Sequence, residues 1–351
     1  MQDDHDSDTP GWDAINDALA PLYAGQTPQH FGTAIPYTLG GSDPLDGISV
    51  YWVDAPVPHW HYITYGFSEL YAKESSDAST SGYGFELTFR LAAAPGDSAG
   101  ATPPSWPMNL LQNLARYVFG SGNVFEDGHH IDANGPIALE QDTVLRHLAF
   151  LHDPWLPQRQ TPNGALQFLQ VIGLSDAEMA AIRRWSTRGV LALLEPVMPL
   201  WITELSRASL LDDPALVAQV QAGSEREGSS TGMLFLEKLQ ARVEDGVATL
   251  QIGAGQVPSV LELLPLRLRH GKPLTLFGGD LAWRFEAGEV DAVQAEAEVA
   301  RCILSEASLQ TLLDTLRAER GRHELCEGKL VVDVQPTLLR DAKGNLLREI
   351  G

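Results

Sequence analysis

Two histidine-containing motifs are the first candidates for chemistry in this chain. His59-Trp60-His61 places two imidazoles two residues apart, on one face if the segment is a β-strand. Asp127-Gly128-His129-His130 adds two more. Because histidine is a common metal ligand, one hypothesis is a metal-dependent enzyme that uses His59, His61, His129 and His130. The spacing matches neither HExxH nor a Cys/His quartet, so hydrogen-bonded packing histidines are favoured and no metal or cofactor is expected.

The usual nucleophilic and nucleotide-dependent signatures are not found in a suitable setting. GxSxG and SxxK motifs have no fitting context, and neither a P-loop nor a dinucleotide fingerprint is present. Ser229-Ser230-Thr231 falls in a predicted linker, and Cys326 precedes Glu327, whose charge would raise the thiol pKa. The sequence therefore predicts a protein that is not an enzyme.

Aromatic residues crowd residues 51–71 and offer a third kind of site, a recognition surface. They suit both hydrophobic cores and binding hot spots, and the favoured interpretation is a core with its rim. The residues are Tyr51, Trp52, Trp60, Tyr62, Tyr65, Phe67 and Tyr71.

The charge balance limits the class of partner. Lys and Arg total 24 against 46 Asp and Glu, which gives a formal net charge of −22. Such a surface repels phosphate backbones and attracts basic proteins, although acidity can serve solubility alone. The charge therefore predicts that nucleic acid is not a partner. The two cysteines, the polar N-terminus and the lack of an apolar run of about 18 residues predict a soluble, cytoplasmic protein that does not bind a membrane. We expect a monomer.

The elements that would position these residues form more than one domain, since 351 residues exceed one ordinary core. We predict a disordered N-terminus at residues 1–11, an N-terminal domain at 12–222, a linker at 223–232 (GSEREGSSTG) and a smaller C-terminal domain at 233–351. The clearest strand is 85–91, in which Phe85, Leu87, Phe89 and Leu91 share one face.

Periodicity and turn residues predict the other elements. Helices are expected over 12–22, from Pro107 onward, from the capping box of Ser175 and Glu178 towards Trp185, and over 309–316. Strands are expected over 48–53, 61–71, 168–174, 233–236, 263–277, 281–285 and 330–334. The fold class is α+β.

Six blocks of sequence in fixed order resemble the suppressor of fused family. The likeness is strong over about residues 12–205 and continues into a second domain at LPLRLRHG (264–271). The blocks are HWHYITYG with ELY (59–66, 69–71), GYGFELTFRL (82–91), PSWP (104–107), LARYVF (114–119), TPNG (161–164) and FLQVIG (168–173).

The resemblance implies two mixed α/β-sheet domains packed as a clamp with a cleft between them. In animal members the clamp closes on a short peptide of a Gli transcription factor, which adds as a β-strand. Residues 237–258 leave little room for the long insertion of animal members, so a bacterial-type member with both domains is expected. Bacterial members act as immunity proteins that neutralise toxins.

The family pattern, carried over residue by residue, implies a partner-binding set. Tyr117 matches the cleft tyrosine, and His129 stands where animal members have an aspartate, which puts Gli-like recognition in doubt. Met233 to Phe235 align with the receiving edge strand, and Arg267 and His270 match cleft residues of the second domain. Packing or turn roles for Tyr117 and His270 are alternative interpretations.

The leading functional hypothesis is an immunity protein that occludes a toxin domain. Many nuclease toxins are basic, so an acidic partner gains association rate from opposite charge. The first alternative is a regulator that sequesters a peptide or transcription factor in the same cleft. The second is the metal-dependent enzyme.

Overall fold

A computed structural model describes residues 9–35, 37–139, 141–244, 247–279, 281–295, 299–340 and 345–351. The chain divides into two compact units. The first unit combines residues 1–179 with 190–216, and the second combines 180–189 with 217–351. Of the predicted disordered N-terminus, residues 1–8 lie outside the described residues, whereas Pro10 and Gly11 begin the first helix.

The first unit is built on an eight-stranded sheet with the order β1-β2-β3-β4-β8-β6-β5, and β7 pairs with β8. All its pairings are antiparallel except β4 with β8, which is parallel. The strands are β1 (Gln29–Gly32), β2 (Gly47–Val53), β3 (His59–Tyr65), β4 (Thr80–Ala92), β5 (His130–Asp132), β6 (Leu145–His152), β7 (Arg159–Thr161) and β8 (Gly164–Ser175).

Helices lie where they were predicted at Pro10–Leu19, Trp106–Ser121, Asp176–Arg184 and Glu306–Thr315. The predicted capping box is confirmed, because the Ser175 N–H donates to Glu178 (2.9 Å) while the Glu178 N–H donates to the Ser175 hydroxyl. The helices are α1 (Pro10–Leu19), α2 (Trp106–Ser121), α3 (Asp176–Arg184), α4 (Thr187–Leu194), α5 (Pro214–Glu227), α6 (Val257–Leu268) and α7 (Glu306–Thr315).

Alternation along β4 orders the first unit's core. Phe85, Leu87 and Phe89 point to one face of the sheet, where α2 contributes Leu111, and all of them are buried. The intervening residues of β4 are polar and point to the other face, yet they are buried too. The sheet is therefore covered on both faces at its centre.

The second unit contains three smaller sheets, with strand orders β10-β11-β17-β16, β14-β15-β13-β12-β9 and β18-β19. One core cluster packs α6 and α7 against the two larger sheets. The strands are β9 (Met233–Phe235), β10 (Leu239–Glu244), β11 (Val247–Gly253), β12 (Leu274–Gly278), β13 (Leu281–Ala287), β14 (Ala292–Ala295), β15 (Val299–Leu304), β16 (Gly321–Leu325), β17 (Leu330–Gln335), β18 (Thr337–Arg340) and β19 (Leu346–Ile350).

The predicted strand over 263–277 is wrong in its first half. Leu264, Leu266 and Leu268 alternate as in a strand, but residues 257–268 form α6 and only 274–278 form β12. Val260, Leu263 and Leu264 also recur at helical spacing, and that period places a face in the core. Tertiary packing therefore decides between two patterns that this segment satisfies together.

The segment 223–232, predicted as a linker, is packed into the second unit. Residues 223–227 end α5, and a Cβ on Gly223 would lie 2.6 Å from the ring of Trp185. Ser229 is buried and donates its hydroxyl to the Arg183 carbonyl (2.7 Å). Glycine and serine serve close packing here, so their abundance does not make the segment a flexible connection.

No helix in the described ranges is long and apolar enough to cross a membrane.

Candidate functional site

The strand β9 lies at one end of the five-stranded sheet and pairs only with β12 among the residues that the structure describes. Its three residues are apolar. Phe235 is 81% exposed and Met233 is 58% exposed, whereas Leu234 packs against the core. A short apolar strand at a sheet edge is a template for pairing with another chain.

The backbone of β9 pairs with β12 on one side, and no strand of the described ranges pairs with its other side. Thr275 donates its N–H to the Gly232 carbonyl (2.9 Å), and Leu236 donates its N–H to the Phe277 carbonyl (2.7 Å). Residues 232, 234 and 236 therefore face β12, and by alternation the N–H and C=O groups of Met233 and Phe235 point outward. These outward groups could bond an additional strand.

The two exposed side chains share one face of the sheet. The ring of Phe235 stacks on that of Phe277 at 5.5 Å between centroids, with 24° between the planes. An added strand would therefore meet both hydrogen-bonding groups and an apolar surface, which is the combination used in β-augmentation.

Arg267 holds the segment that leads into β9. The side chain is buried on α6, and its guanidinium donates to the Ser229 carbonyl (2.7 Å) and twice to the Pro273 carbonyl (3.0 and 2.8 Å). A Cβ on Gly232 would lie 2.9 Å from its Nη2 atom. Arg267 therefore positions the segment before the edge strand through hydrogen bonds from its guanidinium to backbone carbonyls.

His270 supports the same segment by packing. A Cβ on Gly228 would lie 2.7 Å from the imidazole, and Gly228 has φ +71°, a conformation suited to glycine. The structure thus gathers Met233, Phe235, Arg267 and His270 around one stretch, 228–235, with the first two exposed and the other two supporting it.

Tyr117 and His129 belong to the first unit and lie on either side of one loop. Tyr117 is 46% exposed on α2, stacks on Phe125 (5.7 Å, 25°), and its hydroxyl accepts from Asn123 (3.1 Å). His129 is half exposed, and its Nδ1 accepts the Glu126 N–H at 3.2 Å. We name Tyr117, Asn123, Phe125, Glu126 and His129 the Tyr117 patch.

His59 and His61 have a different environment, since both are fully buried in β3. The Nδ1 atom of His61 lies 2.5 Å from the Tyr23 hydroxyl, and its Nε2 atom lies 3.3 Å from Asp153 without the alignment of a hydrogen bond. His59 bonds through Nδ1 to the Val57 carbonyl (2.7 Å). These histidines are parts of the interior, in agreement with the packing interpretation.

Asp153 is the centre of this interior network. Arg90 donates to both its carboxylate oxygens (2.6 and 3.0 Å), and the Thr88 hydroxyl donates at 2.7 Å. Arg90 also bonds Gln170, and its guanidinium carbon lies 4.9 Å from the Trp155 ring centroid. The buried charges are therefore paired and hydrogen-bonded.

The pKa values follow from burial and from Arg90. Burial and then Arg90 lower the pKa of His61 to about 4, against the opposing effect of Asp153. Burial opposes the charge on Asp153, but Arg90 and His61 together outweigh this effect and hold the pKa of that carboxyl below its ordinary value. The network therefore contains a neutral imidazole beside an ion pair.

No three His, Cys, Asp or Glu side chains within the described ranges are grouped to hold a metal ion. His59, His61, His129 and His130 do not come together as a ligand set, so the geometry gives the metal-enzyme hypothesis no site. The reason is topological, because His59 and His61 lie within the sheet while the ring of His129 lies at a partly exposed loop.

Sequence reasoning missed Arg90, Asp153 and Glu86 as buried charges. Glu86 accepts from the Ser68 hydroxyl (2.6 Å) and from the N–H groups of Ser68 and Gly66 on one oxygen, and from Thr64 on the other. Burial raises its pKa to about 7, although these hydrogen bonds oppose the rise. The available signal was that polar residues alternate with strongly apolar ones along 85–91, and the same pattern is typical of a half-exposed strand.

The fold and site define an α+β protein of two units, with an open edge strand as its candidate binding feature. Comparison with known proteins agrees with this fold class. The family model "Suppressor of fused protein (SUFU)" matches residues 41–208. The human Suppressor of fused homolog is 39% identical over 237 residues, which cover 63% of this chain, and the mouse protein is 38% identical. The matched region spans about half the length of these relatives, 48%.

Solved structures give the same relationship. The crystal structure of Drosophila Suppressor of Fused matches with a TM-score of 0.80 at 24% identity, over 95% of this chain and 99% of that one, which shows a shared fold. A chain of the Sufu-Fu complex crystal structure matches with a TM-score of 0.57 at 34% identity, over 61% of this chain and 98% of that one. The chain belongs to the suppressor of fused family.

Proposed function

We propose that this protein binds a protein partner by accepting an extended segment of it as a strand added to β9, and that it acts by binding rather than by catalysis. The observation that carries the proposal is the open side of β9, where Met233 and Phe235 present backbone groups and apolar side chains together. Main-chain bonds would supply affinity, and the two side chains would supply selectivity.

The composition of β9 supports a pairing role. Edge strands that must stay unpaired commonly carry lysine, proline or a bulge, and Met233-Leu234-Phe235 has none of these. The strand is also held in place before a partner arrives, by Arg267 and by the packing of His270 on Gly228. Such preorganisation reduces the entropy lost on binding.

The class of partner is supported by the relatives. One solved relative is a Sufu-Fu complex, so a regulatory protein that is sequestered through one segment is the partner we favour. A net charge of −22 would favour a basic segment. Neutralisation of a toxin stays a prediction supported by the charge argument alone, and cytoplasmic location and the monomeric state stay predictions as well.

Peptide selection tests the docking strand directly. Peptides selected from a random display library against the wild-type chain should lose affinity about tenfold or more for Phe235→Lys, because the charge removes an apolar contact beside the added strand. Binding is measured by isothermal titration calorimetry.

The matched control is Val290→Lys, which introduces the same charge at a residue of the same unit that is 73% exposed and lies outside β9. Selected peptides should bind this variant like the wild type. Equal affinity of the peptides for Phe235→Lys, or a selection that recovers no binding peptide, would refute β9 as the docking strand.

The Tyr117 patch is the second region that we propose for partner contact. Tyr117 presents a half-exposed ring that Phe125 and Asn123 hold in place, a state typical of aromatic hot spots. Tyr117→Ala should weaken the binding of the natural partner or its peptide. An unchanged dissociation constant would restrict the contact to β9.

A further inference from the structure

A cavity of about 480 Å³ in the first unit combines aromatic rings with carboxylates. Its size falls within the range of small-ligand sites. The aromatic residues that line it are Tyr37, Phe67, Tyr71, Tyr83 and Phe119, and the acidic residues are Asp46, Glu69 and Glu74. Lysine, arginine and histidine are absent from the described lining.

The rings meet at steep angles and form walls. Phe119 lies 5.5 Å from Tyr37 with 76° between the planes, and 4.9 Å from Tyr83 with 60° between the planes. Tyr37 and Tyr71 are half exposed, so the cavity opens to solvent beside them. Aromatic walls of this kind attract an organic cation through their ring quadrupoles.

Among the three carboxylates, Glu69 is already bonded to a lysine and to backbone N–H groups. It accepts from Lys73 (2.7 Å) and from the N–H groups of Glu74, Ser75 and Gly82. These bonds outweigh the effect of burial and lower the pKa of Glu69 to about 2. Lys73, the nearby cation, is therefore fully engaged with Glu69, Ser75 and Thr80.

Asp46 has no cationic partner among the described residues. It is half buried in the cavity, and burial raises the pKa of its carboxyl, with a hydrogen bond from Tyr71 partly opposing the rise. A cation that binds beside a partly desolvated, unpaired carboxylate makes a stronger electrostatic interaction than it would with a carboxylate in water.

The backbone that carries the cavity wall is fixed in advance. The Asp46 N–H donates to the Tyr65 carbonyl (2.9 Å), and a Cβ on Gly66 (φ +136°) would lie 2.9 Å from that nitrogen. Beneath it, Glu86 binds the N–H groups of Gly66 and Ser68. Ligand binding would therefore require little reordering of this wall.

We propose that this cavity binds an ammonium group at the end of an alkyl chain, as in a lysine side chain of a protein partner, with Asp46 as counter-ion and the rings around it as walls. An anion would face three carboxylates, and a neutral apolar group would leave Asp46 without a counter-charge. The lining residues of the cavity belong to the first unit and β9 belongs to the second, and the inference does not depend on the β9 proposal.

Three lysine analogues test the inference on the intact chain. They are N-acetyl-lysine methylamide with a free ammonium, its ε-trimethylated form, and its ε-acetylated neutral form. Chemical shifts of the aromatic side chains, followed by NMR, should show saturable binding of the two cations and at least about tenfold weaker binding of the neutral form. The ratio of the two cations distinguishes a primary from a methylated ammonium.

Variants locate the site. Asp46→Asn keeps the side-chain shape and should weaken cation binding about tenfold, and Tyr37→Leu should weaken it several-fold. Asp17→Asn removes one negative charge from an exposed position of α1 outside the cavity lining and should bind like the wild type. Equal binding of the neutral analogue, no saturable binding of either cation, or an unchanged affinity of Asp46→Asn would overturn the proposal.

Discussion

Two strands of this protein contradict the simple association of polarity with exposure. In β4 the polar residues Glu86, Thr88 and Arg90 are fully buried, whereas in β9 the apolar residues Met233 and Phe235 are largely exposed. Each arrangement has a physical explanation. The charges of β4 are paired or hydrogen-bonded inside the first unit, and the apolar side chains of β9 lie at a sheet edge with open backbone groups.

The difference between β4 and β9 suggests separate roles, with the buried charges of β4 contributing to stability and the exposed side chains of β9 to binding. A buried charge that is fully paired stabilises one arrangement of the interior and is inaccessible to a partner. An exposed apolar edge adds nothing to the interior and is available for recognition. Changes in β4 and its partners should therefore alter folding, and changes in β9 should alter binding.

The largest effect is expected from breaking the central ion pair. Asp153→Asn leaves the Arg90 guanidinium buried without its counter-charge and should lower the free energy of unfolding by roughly 3–5 kcal/mol. Urea denaturation followed by circular dichroism and fluorescence measures the loss.

The exposed ion pair of Arg116 with Asp43 lies in the same unit and serves as control. Solvent screens such pairs, so Asp43→Asn should leave the denaturation midpoint nearly unchanged. Similar losses in both variants would show that burial of the Arg90 pair has no special importance.

The next effect is a pH dependence carried by Glu86. Its pKa rises from 4.5 to about 7 in the folded protein, so its contribution to stability is fully present below pH 4.5 and is lost as the pH rises through 7. Glu86→Gln should remove this dependence, because an amide does not titrate in this range. The amide can also keep its oxygen towards Ser68 and donate to Thr64, so the local hydrogen bonds are retained.

Free energies of unfolding at pH 5 and pH 8 test this. The loss of stability on going from pH 5 to pH 8 should be larger in the wild type than in Glu86→Gln by about 2–3 kcal/mol. His59 and His61 are common to both proteins and cancel in the comparison. Parallel pH profiles would mean that the carboxyl titrates alike in the folded and unfolded chains.

A smaller effect is expected at Arg267, a buried charged residue that supports the segment leading into the exposed strand β9. Arg267→Lys retains the charge but cannot bond the Ser229 and Pro273 carbonyls with a planar fork, so about 1–3 kcal/mol of stability should be lost. The segment before β9 should then loosen, and amide exchange over 228–235 should speed up. Unchanged exchange there would separate Arg267 from the positioning of the edge strand.

The smallest effect on stability is expected at Phe235. Because the side chain is mostly exposed, Phe235→Lys should change the free energy of unfolding by no more than about 0.5 kcal/mol while it weakens peptide binding. Denaturation and calorimetry on the same preparation provide both values. A large loss of stability would place Phe235 with the interior residues of β4.

Sequence patterns predicted the local elements well where one period dominates. The alternation of 85–91, the capping box at Ser175 and the short strand at 233–235 all appear as expected. The segment 263–277 satisfied two periods, and only packing against the core decides for a helix over 257–268. The family pattern implied partner-contacting roles for Arg267 and His270, which stay predictions, whereas their packing against residues 228–232 could be seen only in the structure.

The interior network could not be predicted because its members are distant in sequence. Arg90 and Asp153 are 63 residues apart, and Arg90 and Gln170 are 80 apart. The pairing of β4 with β8 and the connection after β6 bring them together, and no local pattern encodes that contact. The outward side of β9 is likewise a property of strand order, which the sequence does not display.

The central claim, that the open side of β9 receives a partner strand, is tested most directly by residue-resolved amide exchange with and without a selected peptide. We predict that the Met233 and Phe235 amides, which face outward, exchange at least about tenfold more slowly with the peptide bound, while Leu234, already facing β12, changes little. Unchanged exchange at Met233 and Phe235 under saturating peptide, with protection elsewhere, would contradict the account.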